Sequence, residues 1–506
     1  MGQEPYDPPR RKLSAWRVAV AALVVAVAVA GTVKLVTRTT SAKAATPVTA
    51  PWFAPYVDTT LTPTSQFQIP SSNVAHSVVL GFVVADPTSA CTPSWGGAYS
   101  LDQAEQSLSL DNRIARYRQL HGDVMVSFGG QANQELATTC TSVDGLTYAY
   151  LGVVNRYQLT TVDFDIEGAT LTDTAALSRR ADAVHNVQKT VRAAGGHLAV
   201  WLTLPASPTG LNAAGVQVVQ SMLDAHVDLA GVNLMTMDFG SSKPTSTSMI
   251  DAVGQSLTAG QQQLQAAYLQ AGDQLTTAQA WNKVGATPMI GQNDTADETF
   301  TTSDAQQLVN FADARGMGRL SFWSLNRDMP CGPNDPNPGQ AANNCSGLAQ
   351  QPLAFSAVFN QLTGRSASAA SAVTDATAAP TGPDNPLTSP YPIWETGGSY
   401  PAGTKVVWKH TIYQAKWWNQ GQAPNTPVTG ASATPWLLIG PVLSGQNAVT
   451  NTTVPSGTYP AWSASSVYPA GSHVVYRGIG YQAKWWNQGV TPDASDPGGS
   501  AWAAMS

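Results

Sequence analysis

From Trp52 to about Leu362, short β-rich apolar runs alternate with longer stretches whose apolar residues recur at helical spacing. That alternation is the pattern of parallel βα units, in which each strand is followed by a helix that covers it. Eight strands are predicted, at 53–58, 78–85, 124–128, 162–165, 198–204, 229–235, 287–290 and 320–323. Between them, 173–194 reads as a helix with Leu177, Ala181, Val184 and Val187 on one face, and 303–315 as another with a serine N-cap. Eight strands in about 310 residues fit a closed barrel, so the fold class expected for 50–364 is α/β, a (β/α)8 TIM barrel.

The pattern then changes twice. Residues 365–390 are rich in Ala, Ser, Thr and Pro with almost no large apolar side chain, which reads as a linker too poor in apolar residues to dock on the barrel. Beyond it Tyr-Pro-Ala-Gly followed by Tyr-Gln-Ala-Lys-Trp-Trp-Asn-Gln-Gly occurs twice, and Trp417 and Trp485 are 68 positions apart, as are Tyr400 and Tyr468. Two small all-β modules are therefore expected, at 391–443 and 459–506, with a second low-complexity linker at 444–458. Successive strand residues face opposite ways, so one tryptophan of each pair, Trp417/Trp418 and Trp485/Trp486, is expected to stand free for stacking.

At 506 residues the chain exceeds one ordinary core, which agrees with this division. Ahead of the barrel, Arg10, Arg11, Lys12 and Arg17 precede an apolar stretch at 18–33, followed by Lys34, Arg38 and a small-residue run at 41–45. Residues 1–45 thus read as an export signal, with an uncleaved membrane anchor as the alternative, since the stretch is slightly short of the roughly 20 residues a spanning helix needs. Only 11% of residues are charged and the net charge is −6, so there is no basic stripe for nucleic acid. Cys91, Cys140, Cys331 and Cys345 form an even set that suits an oxidising compartment. Three pairings are open; Cys91–Cys140 and Cys331–Cys345 are favoured because each would staple neighbouring loops. No metal or cofactor is expected, no protein partner is implied, and the chain is expected to be monomeric.

The segment that carries chemistry is Thr161-Val-Asp163-Phe-Asp165-Ile-Glu167-Gly168. Alternate strand positions share a face, so Asp163, Asp165 and Glu167 all point the same way, into a barrel. Mutual repulsion among three inward carboxyls raises the pKa of at least one, which keeps an acid protonated for proton donation near neutral pH.

This segment resembles the Asp-Gly-x-Asp-x-Asp-x-Glu motif of glycoside hydrolase family 18, with Thr160 and Thr161 at its first two positions and Glu167 at the proton donor. Ser127-Phe-Gly129-Gly130 resembles the family's Ser-x-Gly-Gly, Met235-Thr-Met237-Asp238 its Met-x-Tyr-Asp, and Trp323 the tryptophan that floors its site. Met237 stands where the family has a tyrosine whose hydroxyl helps hold the N-acetyl group; Gln292 and Asn293 are candidates to replace that donor. The resemblance implies a chitinase acting with retention by substrate assistance. Glu167 would be acid and then base, Asp165 would orient the acetamido group, Asp163 would tune Asp165, and Asp238, Met235, Trp323, Gln292, Ser127 and Gly129 would bind the sugar. The modules resemble carbohydrate-binding module families 5 and 12, with Trp417, Trp418, Trp485, Trp486, Tyr400 and Tyr468 as candidate chitin contacts. The implied partner is chitin or chito-oligosaccharide, and cellulose is an alternative ligand of the modules. The competing readings are a weak or inactive chitin-binding lectin and an endo-β-N-acetylglucosaminidase.

Overall fold

The computed structural model describes residues 51–333, 335, 339–362, 383–385, 389–426, 433–446, 459–476, 479–483, 485–492 and 501–504. The predicted N-terminal segment 1–45, nearly all of linker 365–390 and most of linker 444–458 lie outside the described residues.

The first barrel strand, β1, is broken into Trp52–Phe53 and Tyr56–Asp58. It is followed by β2 (Ser77–Asp86), β3 (Asp123–Gly129), β4 (Thr161–Asp165), β5 (Ala199–Ser207), β6 (Leu229–Met235), β7 (Val284–Thr287) and β8 (Arg319–Leu320). Each strand pairs in parallel with the next. The ring closes where Trp52 pairs with Arg319 while Tyr56, on the other half of β1, pairs with Val79. Burial on both faces explains why strands such as β2 read as continuous apolar runs rather than alternations.

The helices cover this ring. They include α1 (Leu101–Leu108), α2 (Leu110–Gln119), α3 (Val143–Arg156), α4 (Thr174–Ala193), α5 (Ala213–Asp224), α6 (Met249–Gln270) and α7 (Thr302–Arg315). On α4 the predicted face of Leu177, Ala181, Val184 and Val187 is buried, and the Asp173 carboxylate accepts from the Ala176 N–H as its N-cap. Helix α7 starts one residue earlier than expected, because Thr301 and Asp304 form a capping box where a Ser303 cap was predicted. The seventh strand also differs from expectation: it ends at Thr287, where the predicted strand begins. Beyond it Met289 makes only an isolated bridge to Trp323.

Disulfides join Cys91 to Cys140 and Cys331 to Cys345. Among the described residues no helix is long and apolar enough to cross a membrane.

The C-terminal region contains two three-stranded sheets, β9 (Lys405–Trp408), β10 (Thr411–Ala415) and β11 (Trp436–Pro441), then β12 (His473–Tyr476), β13 (Ile479–Ala483) and β14 (Trp502–Ala504). Each is accompanied by a short two-stranded pairing, Ser399–Tyr400 with Asn419–Gln420 and Val467–Tyr468 with Asn487–Gln488. The linker's composition had suggested that neither module docks on the barrel. The first module does: Asn112 Nδ2 on α2 donates to Pro441 O at 2.8 Å, and Lys405 Nζ donates to Ser109 Oγ at 2.6 Å.

Candidate active site

Strand β4 delivers the acids. Asp163 and Asp165 are buried within it, and Glu167 stands half-buried two residues past its end, still in extended conformation. The intervening Phe164 faces the helices, stacking on Phe128 at 5.2 Å and meeting Tyr150 edge-on. The alternation read from the sequence thus places apolar residues outward and carboxyls inward.

The deepest acid, Asp163, is enclosed by four other strands. It accepts from Tyr56 of β1 at 2.8 Å, Ser127 of β3 at 2.7 Å, Thr203 of β5 at 2.8 Å and Arg319 of β8 at 2.6 Å. Both side chains of the Asp163–Arg319 pair are fully buried. The guanidinium also donates to Ser321 and to the Tyr56 hydroxyl, and lies within about 5.6 Å of the ring centres of Trp52, Tyr56 and Trp201. A buried carboxylate is tolerable only with such compensation. The expected repulsion is therefore answered for Asp163 by a cation that sequence reasoning did not select.

Among the described residues Asp165 has no such partner cation at contact distance. Burial, then the neighbouring charges of Glu167 and Asp163, push its carboxyl well above the usual carboxylate range, with Arg319 opposing weakly. Burial also raises Glu167, while a hydrogen bond from Asp165 pulls it down. Asp165 and Glu167 thus form an interacting pair of carboxyls at the mouth of the barrel, both held above the usual carboxylate range chiefly by burial. One Asp165 oxygen, Oδ1, is buried without a hydrogen-bond partner.

Glycines set this geometry. A Cβ on Gly129, whose φ is +100°, would fall 2.1 Å from the Asp165 carbonyl oxygen, and the Gly130 N–H donates to that same oxygen at 3.0 Å. A Cβ on Gly130 would meet the Phe82 ring, which stacks on Trp323 at 5.6 Å. Trp323 and Tyr56, with ring centres 6.2 Å apart, complete an aromatic wall.

Several expected sugar contacts have other duties. Ser127 is fully buried and holds Asp163. Gln292 spends its amide on Ala296 O and Glu298 O and its carbonyl on Thr299, while Asn293 donates to Met289 O and accepts from the Asp238 N–H. These two side chains shape the loop after β7 and do not replace the donor missing at Met237. Asp238 and Met235 are half-buried where β6 ends. Asp238 adopts a φ of +48° and accepts from Thr295 N at 2.8 Å; Glu298 secures the same turn by accepting from Phe239 and Gly240 N–H groups. Tyr56, Thr203, Arg319 and Glu298 were missed, although a lone arginine ahead of an apolar β8 run was a visible signal for one of them.

In the modules all four tryptophans are exposed: 42% and 50% for Trp417 and Trp418, 43% and 62% for Trp485 and Trp486. The expected free tryptophan is present in each pair, and its neighbour is exposed as well, because both pairs lie just past the end of β10 or β13, where strand alternation no longer applies. Tyr400 and Tyr468 are core residues instead, packed edge-on against Trp436 and Trp502 with their hydroxyls bonded to the backbone at Glu395 and Ser463.

The barrel aligns with active domain 2 of a thermostable chitinase from Pyrococcus furiosus, solved as catalytic-site mutants complexed with chito-oligosaccharides. The match has 28% identity and a TM-score of 0.54, and covers 63% of this chain and 96% of that one. In sequence the chain is 37% identical over 286 residues to a probable bifunctional chitinase/lysozyme of Escherichia coli, covering 56% of this chain and 31% of that protein. It is 35% identical over 282 residues to endochitinase 11 of Metarhizium anisopliae, covering 55% and 52%. The chain thus spans between about a third and a half of the length of these curated relatives. Residues 461–503 match carbohydrate-binding module family 5/12. A barrel similar to chitinase catalytic domains, in line with the resemblance of its Asp163–Glu167 segment to the family 18 motif, is here joined to a C-terminal region of which residues 461–503 match carbohydrate-binding module family 5/12.

Proposed function

We propose that the chain is a glycoside hydrolase that cleaves β-1,4-N-acetylglucosamine linkages of chitin with retention, using the substrate's own acetamido group as nucleophile. The observation that carries this reading is the Asp165–Glu167 pair, two interacting carboxyls that burial holds above the usual range, beside an aromatic wall and above a neutralised Asp163–Arg319 floor. In this reading they share one proton at rest, carried by Asp165. When substrate enters, the bridging proton crosses from Asp165 to Glu167. Asp165, now a carboxylate, accepts the acetamido N–H and orients the carbonyl oxygen toward the anomeric carbon. Glu167 donates its proton to the leaving glycosidic oxygen as the C–O bond breaks and the acetamido oxygen bonds to carbon, giving an oxazolinium ion. Glu167 then takes a proton from the incoming water as the water oxygen bonds to the anomeric carbon and the bond from that carbon to the acetamido oxygen breaks. The proton passes back to Asp165, restoring the starting state with configuration retained.

The module tryptophans support an insoluble polysaccharide as the physiological form of substrate, because exposed indoles stack on sugar rings. Chito-oligosaccharide complexes of the Pyrococcus furiosus domain support the same substrate class. Two disulfides support export to an oxidising compartment. The test is stereochemical: chito-oligosaccharide hydrolysis followed by NMR should release the β-anomer first, and fully deacetylated chitosan should be inert. An α-anomeric first product, or rapid chitosan cleavage, contradicts the mechanism.

A further inference from the structure

The two modules repeat their tryptophan pairs but not their opposite faces. In the first, Val407, Ile412 and Ile439 are buried, with Tyr391, Leu437 and Val442 packed on them. By register, Gly480, Ala503 and Ala504 stand in the second module where Ile412, Leu437 and Leu438 stand in the first. Val475, the counterpart of the buried Val407, is half-buried. Lys405 has His473 as its counterpart, and that ring stacks on Tyr459.

The first module's distinctive face is the one that meets the barrel. Lys405 Nζ reaches Ser109 Oγ and, at 3.3 Å, Gln106 O. Asn112 donates to Pro441 O and to Gln446 Oε1, both at 2.8 Å, and Gln446 Nε2 donates to Glu105 at 2.6 Å. The backbones approach so closely that a Cβ at Gly440 would lie 2.1 Å from Asn112 O. These barrel residues lie at the end of α1 and the start of α2. In a (β/α)8 barrel helices run antiparallel to the strands, so the start of a helix lies near the face where the strands end and where Asp165 and Glu167 emerge.

We propose that the two modules divide the work. The first is a fixed part of the catalytic body and presents Trp417 and Trp418 as a chitin platform held in one orientation to the cleft, while the second serves as a tether that raises local concentration. The proposal rests on chitin being the substrate. A tether gains through effective concentration alone, whereas a fixed platform also sets which part of the polymer surface meets the cleft.

The experiment uses the full chain with Gly440→Val, which wedges the interface, and Lys405→Glu, which places a carboxylate beside Glu105. Small-angle scattering should show a larger radius of gyration for both, and Glu105→Lys combined with Lys405→Glu should restore the compact form. Soluble chito-oligosaccharide hydrolysis should stay within about twofold, while hydrolysis of crystalline chitin per bound enzyme falls by roughly fivefold or more, the loss expected when effective concentration remains but orientation does not. Trp485→Ala with Trp486→Ala should instead lower the amount bound and leave the rate per bound enzyme unchanged. Undocked variants that hydrolyse crystalline chitin at the wild-type rate per bound molecule would overturn the proposal, as would scattering that shows the wild-type module already detached. Loss of activity on oligosaccharides by the wild type itself would count against the substrate reading, while scattering would still report on docking.

Discussion

Arg319→Met tests the electrostatic floor of the site. The substitution nearly preserves volume but removes the cation bonded to Asp163 at 2.6 Å, in a pair with no solvent exposure on either side chain. Breaking a buried pair from one side costs about 3–5 kcal/mol, because the remaining charge is left uncompensated. Here Tyr56, Ser127 and Thr203 still donate to Asp163, so the loss should fall near the lower end, about 3 kcal/mol. Urea unfolding followed through the main cooperative transition should show the midpoint falling with an unchanged slope. Asp163→Asn in the same background should recover much of the loss, since the uncompensated charge is then gone, and the double-mutant cycle should give a coupling above about 1 kcal/mol. Arg319 also opposes the upward shift of Asp165, so its removal should move both limbs of the pH–rate profile to higher pH. Wild-type stability for Arg319→Met, or additive single and double variants, would refute the pairing argument.

Gly129→Ala should destabilise the barrel by roughly 2–4 kcal/mol and lower kcat more than it raises KM, because the new Cβ collides with the Asp165 carbonyl oxygen in a left-handed backbone region; thermal unfolding and steady-state kinetics check both. The Asp165–Glu167 pair holds its shared proton above the usual carboxylate range, so wild-type activity should persist toward neutral pH and fail as the pH rises past the pair's raised pKa. Docking of the first module should weaken with rising pH. Glu105 faces Asp111, Asn112, Gln446 and Lys405, and is pushed up to about 7, first by burial and then by Asp111. A raised acid pKa in the docked state stabilises docking below the ordinary value of 4.5, and that contribution is lost as pH climbs through about 7. Protection factors at β11, corrected for the intrinsic base-catalysed exchange rate, should accordingly be lower at pH 8 than at pH 5, and equal protection at both would contradict the link to Glu105.

The hydrophobic pattern carried most of the barrel. Six predicted strands overlap the observed ones over most of their length, the seventh and eighth share only Thr287 and Leu320 with theirs, and the inward set of Asp163, Asp165 and Glu167 follows from period-two alternation alone. The seventh strand was misplaced because Val284-Gly-Ala-Thr287 is small and inconspicuous, whereas the adjacent Pro288-Met-Ile290 is more apolar. Partnerships across the ring were not legible. Arg319 and Asp163 are 156 residues apart, and nothing local in either segment names the other. Gln292 looked like a free donor because periodicity does not reveal that its amide closes its own loop. Docking of the first module was hidden for a related reason: the linker's composition was informative about the linker, but the contact is made by Lys405, Gly440 and Gln446 instead.

The most direct test of the account compares wild type with Glu167→Gln on colloidal chitin, measuring soluble sugar released and enzyme bound in the same tubes. Glutamine keeps the shape of the side chain but can neither donate a carboxylic proton nor act as base. Hydrolysis should fall by at least about 10²–10⁴-fold, the worth of a general acid, while binding through the exposed tryptophans stays unchanged. Sugar release within tenfold of wild type would contradict the assignment of Glu167 and, with it, the reading of the site.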